Sequence, residues 1–116
     1  YNAIVDNIES ELEQAIRDWE SGKKYVSRKR ALMAITKHYD GEGLKGAIAK
    51  SFSSKRSILL EQKMDTIRKE ISGYGKSKEK ITKESLLGQA KFAVSQLRLN
   101  VKELETRLQP GTARGE

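Results

Sequence analysis

The tightest constraint on this chain lies near its end. Leu87, Ala90, Val94, Leu97, Val101, Leu104 and Leu108 recur at alternating intervals of three and four residues. That period keeps one apolar stripe on a single side of an α-helix. Both ends are signed. Thr82 is placed to cap the first free amides, with Ile81 and Leu86 at the two positions of a hydrophobic staple. Pro110-Gly111 closes the segment, because proline cannot continue a helix and glycine accepts the turn that follows. Phe92 and Leu99 fall on a different side from Val94, Leu97 and Val101, which predicts two neighbours for this helix and a central place in the fold. The same seam obeys a heptad, so a coiled-coil homodimer through it is also open, with Lys91, Arg98, Glu105 and Arg107 on its flanks.

Other stretches repeat the pattern. Ile4, Ile8, Leu12, Ala15, Ile16 and Trp19, with Val5 at the edge, predict a first helix from about Asn2 to Glu20. Trp19 is in phase with that stripe and reads as core. Asp6 and Glu9 make a capping box if that helix starts later. Ser21-Gly22 breaks the phase, and Tyr25, Leu32, Ile35 and Tyr39 set a new stripe on a second helix from about Lys24 to Tyr39. Asp40-Gly41-Glu42-Gly43 reads as a turn without the alternating ligands of a calcium loop. Leu44, Ala47, Ile48 and Phe52 then give a short amphipathic helix that covers the bundle end. After a bend at residues 51–57, a third long helix runs to Ser72 with Leu60, Met64, Ile67 and Ile71 inward. Gly73-Tyr74-Gly75 ends it and opens a flexible basic loop.

These pieces predict an all-α protein, an elongated antiparallel bundle of three to four helices with the C-terminal one central. Residues 1–109 form the single domain and residues 110–116 a flexible tail. A 36% hydrophobic, 34% charged composition with one proline suits such a thin, wet bundle. No run approaches the roughly 18 apolar residues of a membrane span. The start at Tyr1 reads as a processed product or excised fragment, and no compartment is indicated.

Charge is more informative than composition. Residues 1–22 carry six acids against Arg17 alone, while residues 23–39 carry six cations and no acid. Two readings of the basic helix stand side by side. In one it is a phosphate-tracking ridge, with Arg30 and Lys37 two turns apart and Tyr25 and Tyr39 near enough to stack on bases. In the other, which we favour, the acidic first helix folds back and neutralises much of it.

Several chemistries are missing. Without cysteine there is no disulfide, thiol nucleophile or Cys-ligated zinc. His38, the sole histidine, is expected to meet free carbonyls at a helix end. Gly75-Lys76-Ser77 matches the end of a phosphate-binding loop, but Glu70 stands where the first glycine is required. The acids lie in charge-rich faces with no pair isolated by apolar neighbours. No cofactor, metal or catalytic residue is therefore expected. The opening Tyr1-Asn2-Ala3-Ile4-Val5 resembles the start of the soluble part of LemA-type membrane-anchored helical proteins. That resemblance covers five residues, and Arg28-Lys29-Arg30-Ala31-Leu32 stands where the family's Asp-Leu-Ile-Pro motif belongs. It transfers no function.

The sequence thus leads to a non-enzymatic adaptor subunit that presents a basic surface to an acidic partner in a larger assembly. Lys23, Lys24, Arg28, Arg30 and Lys37 would carry the contact, with the loop residues Lys76, Lys78 and Lys80 adding to it. One alternative is a nucleic-acid-binding module using the same residues. Another is association with anionic membranes through the cationic segment 43–56.

Overall fold

The computed structural model of the chain describes residues 1–73 and 81–108. The Lys76–Lys80 loop, Pro110-Gly111, the tail and the side chain of Leu108 lie outside the described residues. Five helices pack together: α1 (Asn2–Glu20), α2 (Lys24–Met33, continued by a π-helical segment Ala34–Asp40), α3 (Leu44–Ser51), α4 (Ser54–Ile71) and α5 (Lys83–Leu108). The count among the described residues is five, not three to four, because the short end-covering helix packs as a separate element beside the four long ones. In α3, Leu44 and Ile48 are fully buried.

Side-chain pairings fix the directions. Ser27 and Arg30 of α2 reach Ala15, Glu11 and Asp18 of α1, so these two helices run antiparallel. Along α5, Glu105 meets Asn2, Arg98 meets Asp6 and Glu9, and Lys83 meets Glu20, again antiparallel to α1. Arg56 with Asn100 and Glu103, and Glu70 with Gln89, set α4 antiparallel to α5. The bundle measures 55 × 24 × 20 Å with a radius of gyration of 15.3 Å. A compact chain of this length would give about 13 Å. The bundle is elongated, as the composition suggested.

The C-terminal stripe behaves as its spacing demands. Ala90, Val94, Leu97, Val101 and Leu104 are buried, and Leu87 is half-buried against the core. Thr82 caps α5 reciprocally: its Oγ1 accepts from the Ser85 amide at 3.0 Å, while Ser85 Oγ accepts from the Thr82 amide at 3.1 Å. A serine here does the work of the usual glutamate in a capping box. The two neighbours expected from Phe92 and Leu99 are present, since α5 packs on both α1 and α4. The two side chains are not buried there, however: they are 53% and 57% exposed, and Phe92 meets α4 through Lys63, whose Nζ lies 4.9 Å from its ring centroid. Because the buried stripe is covered within the chain, two copies pairing through α5 would have to use the Phe92–Leu99 side.

Gly22, with φ +81, supplies the break between α1 and α2 that a side chain would resist. Beyond it half of the expected stripe holds. Ile35 and Tyr39 are buried, but Tyr25 is 71% and Leu32 45% exposed, and Ser27, Ala31, Ala34 and His38 take the other inward positions. The face of α2 toward α1 is built from small residues, which lets the backbones approach. Ser27 Oγ donates to the Ala15 carbonyl at 2.6 Å across that contact.

The π segment then reorients the chain. The Gly41 amide bonds to the Thr36 carbonyl five residues back, and a Cβ at Gly41 would sit 2.5 Å from the Lys37 carbonyl oxygen. Widening the turn brings His38 and Tyr39 inward together. The Tyr39 hydroxyl donates to the Ser57 carbonyl at 2.7 Å. Its pKa is raised, first by burial and then by Glu61 and Asp40, so it stays protonated. Tyr39 has no face left for stacking on a base.

Candidate functional site

Three of the six acids of α1 go to a different helix from the one the charge pattern suggested. Asp6 and Glu9 pair with Arg98, and Glu20 with Lys83, all on α5. Among the lysines and arginines of the basic helix, Arg30 is the one whose ion pairs within the described residues reach α1, its Nη1 3.1 Å from Glu11 and its Nε 3.1 Å from Asp18. Asp18 is buried and also accepts from Gln14. Arg30 therefore belongs to the α1–α2 joint.

His38 extends the same joint. Its Nδ1 donates to Glu42 at 2.9 Å, and its Nε2 lies 3.6 Å from Glu11. The expected contact with free carbonyls is replaced by one with two carboxylates. The hydrogen bond from His38, helped by one from Asn7, holds the Glu42 carboxyl below its ordinary range. Among the described residues no group of His and acidic side chains is arranged to hold a metal.

Lys23, Lys24, Arg28, Lys29 and Lys37 remain. All five are exposed and none makes an ion pair with another described residue. Between α2 and α4 lies an open groove of about 400 Å³ lined by Tyr25, Arg28, Lys29, Leu32, Arg68 and Ser72. Its floor and rim combine two large apolar side chains with three cations. Arg68 is held in place by Asp65, whose carboxylate lies 2.7 Å from its Nε and 3.3 Å from Lys69. Burial pushes the Asp65 carboxyl up, but the Arg68 hydrogen bond and charge, with those of Lys69, outweigh it and leave the pKa lowered.

Of the residues singled out in the sequence for binding, the structure brings Tyr25 and Arg28 to the groove. Lys23 and Lys24 stand exposed at the turn and start of α2, and Lys37 on the π segment, none of them lining it. Arg30 is engaged inside, and Lys76, Lys78 and Lys80 lie outside the described residues. Lys29, Leu32 and Arg68 were missed. Lys29 was visible in the charge run but off the Arg30–Lys37 line, and Arg68 joins only through the packing of α4.

The segment proposed for membranes has no free apolar face, since Leu44 and Ile48 are fully buried. Phe52 is partly buried and carries the Arg56 and Arg107 guanidinium groups on its ring at 4.1 and 4.5 Å. No described helix is long and apolar enough to cross a membrane. No protein-family model, curated protein or solved structure matches the chain.

Proposed function

We propose that this chain is a non-enzymatic interaction module that offers the outer face of α2 to an acidic protein partner. One observation carries the reading: five of the six acids of α1 are taken up by Arg98, Lys83 and Arg30, while Lys23, Lys24, Arg28, Lys29 and Lys37 stay exposed and unpaired among the described residues. An uncompensated cluster of one sign raises the local concentration of opposite charge and speeds encounter. Exposed apolar side chains beside it supply the non-directional part of a contact.

The test is fluorescence anisotropy of a labelled glutamate-rich helical peptide at low salt. The intact chain should bind it, and Lys24→Glu/Arg28→Glu/Lys29→Glu should abolish binding with an unchanged circular dichroism spectrum. No binding by the intact chain at low salt would overturn the reading. Direct nucleic-acid binding is the second reading, favoured by the exposed Tyr25 ring beside Lys24, Arg28 and Lys29. With Tyr39 buried, Tyr25 is the ring of the basic helix left to stack on a base. A gel shift at two salt concentrations tests it, and no shift at low salt removes it.

A further inference from the structure

We infer that the α2–α4 groove receives an apolar side chain from an acidic amphipathic helix, so that the partner is selected by an anchor as well as by charge. This rests on the acidic-partner reading above. Three observations lead to it.

First, the groove pairs apolar and cationic groups in an ordered way. Tyr25 and Leu32 are seven residues apart on one exposed side of α2, two helical turns or about 10.5 Å along the axis. Anchors spaced i and i+7 on a partner helix repeat at that same interval. Arg28 and Lys29 lie between Tyr25 and Leu32 in the chain, and Arg68 stands on the opposite wall. A helix seated between the walls would turn its apolar side chains to Tyr25 and Leu32 and its flanking carboxylates to the cations.

Second, Arg68 is already held by Asp65 at 2.7 Å. A cation fixed before binding loses less side-chain freedom when a carboxylate arrives. Third, the acidic helix that a second copy would offer is poorly suited to the groove. That helix is α1, and there Asp6, Glu9, Glu11, Asp18 and Glu20 all have ion-pair partners, leaving Glu13 as the acid without one among the described residues. A different protein, with its carboxylates uncommitted, is the better match. Strand addition is not offered by the described residues, which contain no strand edge.

The experiment uses two labelled helical peptides of equal negative charge. One carries leucines at i and i+7 on one face, and the other has serines at those positions. The leucine peptide should bind the intact chain about tenfold more tightly or better. Leu32→Ser or Tyr25→Ser should erase that advantage and leave the serine peptide unaffected. Both are exposed positions, and circular dichroism checks the fold. Equal binding of the two peptides sinks the groove inference and leaves the basic-face reading intact. Binding of neither sinks both. A single-stranded DNA oligonucleotide of matched charge that outcompetes the leucine peptide also overturns the inference.

Discussion

Arg30 and Arg28 are two residues apart in a single basic run, yet Arg30 is engaged with α1 while Arg28 stands exposed, and substituting each by alanine separates the structural contact from the proposed binding one. Arg30 bridges Glu11 and Asp18, two carboxylates whose side chains are 13% and 10% exposed, while its own is 40% exposed. Hydrogen bonds to charged groups contribute about 1.5–3 kcal/mol each when well shielded. Solvent reaches this guanidinium, and Asp18 keeps Gln14 and Glu11 keeps its 3.6 Å contact with His38 after the change. The low end therefore applies to the pair together, a loss of about 1.5–2 kcal/mol. At about 2.1 cal/mol/K of unfolding entropy per residue, this is roughly 6–8 °C of Tm for 116 residues. Arg28→Ala, at an exposed and unpaired position, should stay within about 0.5 kcal/mol. Binding of the acidic peptide should respond in the reverse order. Urea unfolding followed by circular dichroism reads the first quantity and anisotropy the second. The reasoning fails if Arg30→Ala leaves stability within about 0.5 kcal/mol of the parent, or if it abolishes peptide binding while the fold persists.

Two glycines should answer the same substitution with opposite signs. Gly41→Ala puts a Cβ 2.5 Å from one backbone oxygen and 2.9 Å from another, and should cost about 1–3 kcal/mol in urea unfolding. At Gly46, inside α3 with nothing within 4 Å of an added Cβ, alanine should stabilise by about 0.4–1 kcal/mol. Ala31 is fully buried at the close α1–α2 contact, so Ala31→Leu should cost about 1–3 kcal/mol; Leu32→Ala, one residue on, should be near neutral. Glu42 gives a pH signature. Because its folded pKa is depressed by His38, the associated stability is present above the ordinary glutamate value of 4.5 and is lost as pH falls through the folded value. The difference in urea midpoint between the parent and Glu42→Gln should be full at neutral pH and shrink below pH 4.5; a difference that grows toward acid would contradict the sign.

What sequence reading found depended on how local the signal was. The bounds of α1, the cap at Thr82 and the inward residues of α4 follow from spacing and neighbouring side chains, and all appear in the structure. Up to Ala34 the face of α2 was misread because periodicity counts large apolar residues. Its buried positions are Ser27, Ala31 and Ala34, while Tyr25 and Leu32 look outward. A tight helix–helix contact made of small residues leaves almost no hydropathy signal. Arg30 could not be told from Arg28 because Asp18 and Glu11 are 12 and 19 positions away. The π segment has no composition of its own. Gly41 marks it only once the Lys37 carbonyl is seen beside it. The groove is a product of tertiary packing, with one wall from α2 and the other from Arg68 and Ser72 near the end of α4.

The antiparallel run of α1 along α5 gives the molecule two unlike poles. Asn2 and Glu105 touch at one pole, while Glu20 and Lys83 meet at the other, the one from which α2 departs with Tyr25 in its first turn. Nineteen helical residues separate the poles of α1, roughly 28 Å at 1.5 Å per residue. A biosensor chip or fluorophore attached near Asn2 or Glu105 would consequently sit well clear of the proposed docking end, leaving Tyr25 and Ser72 facing the analyte stream.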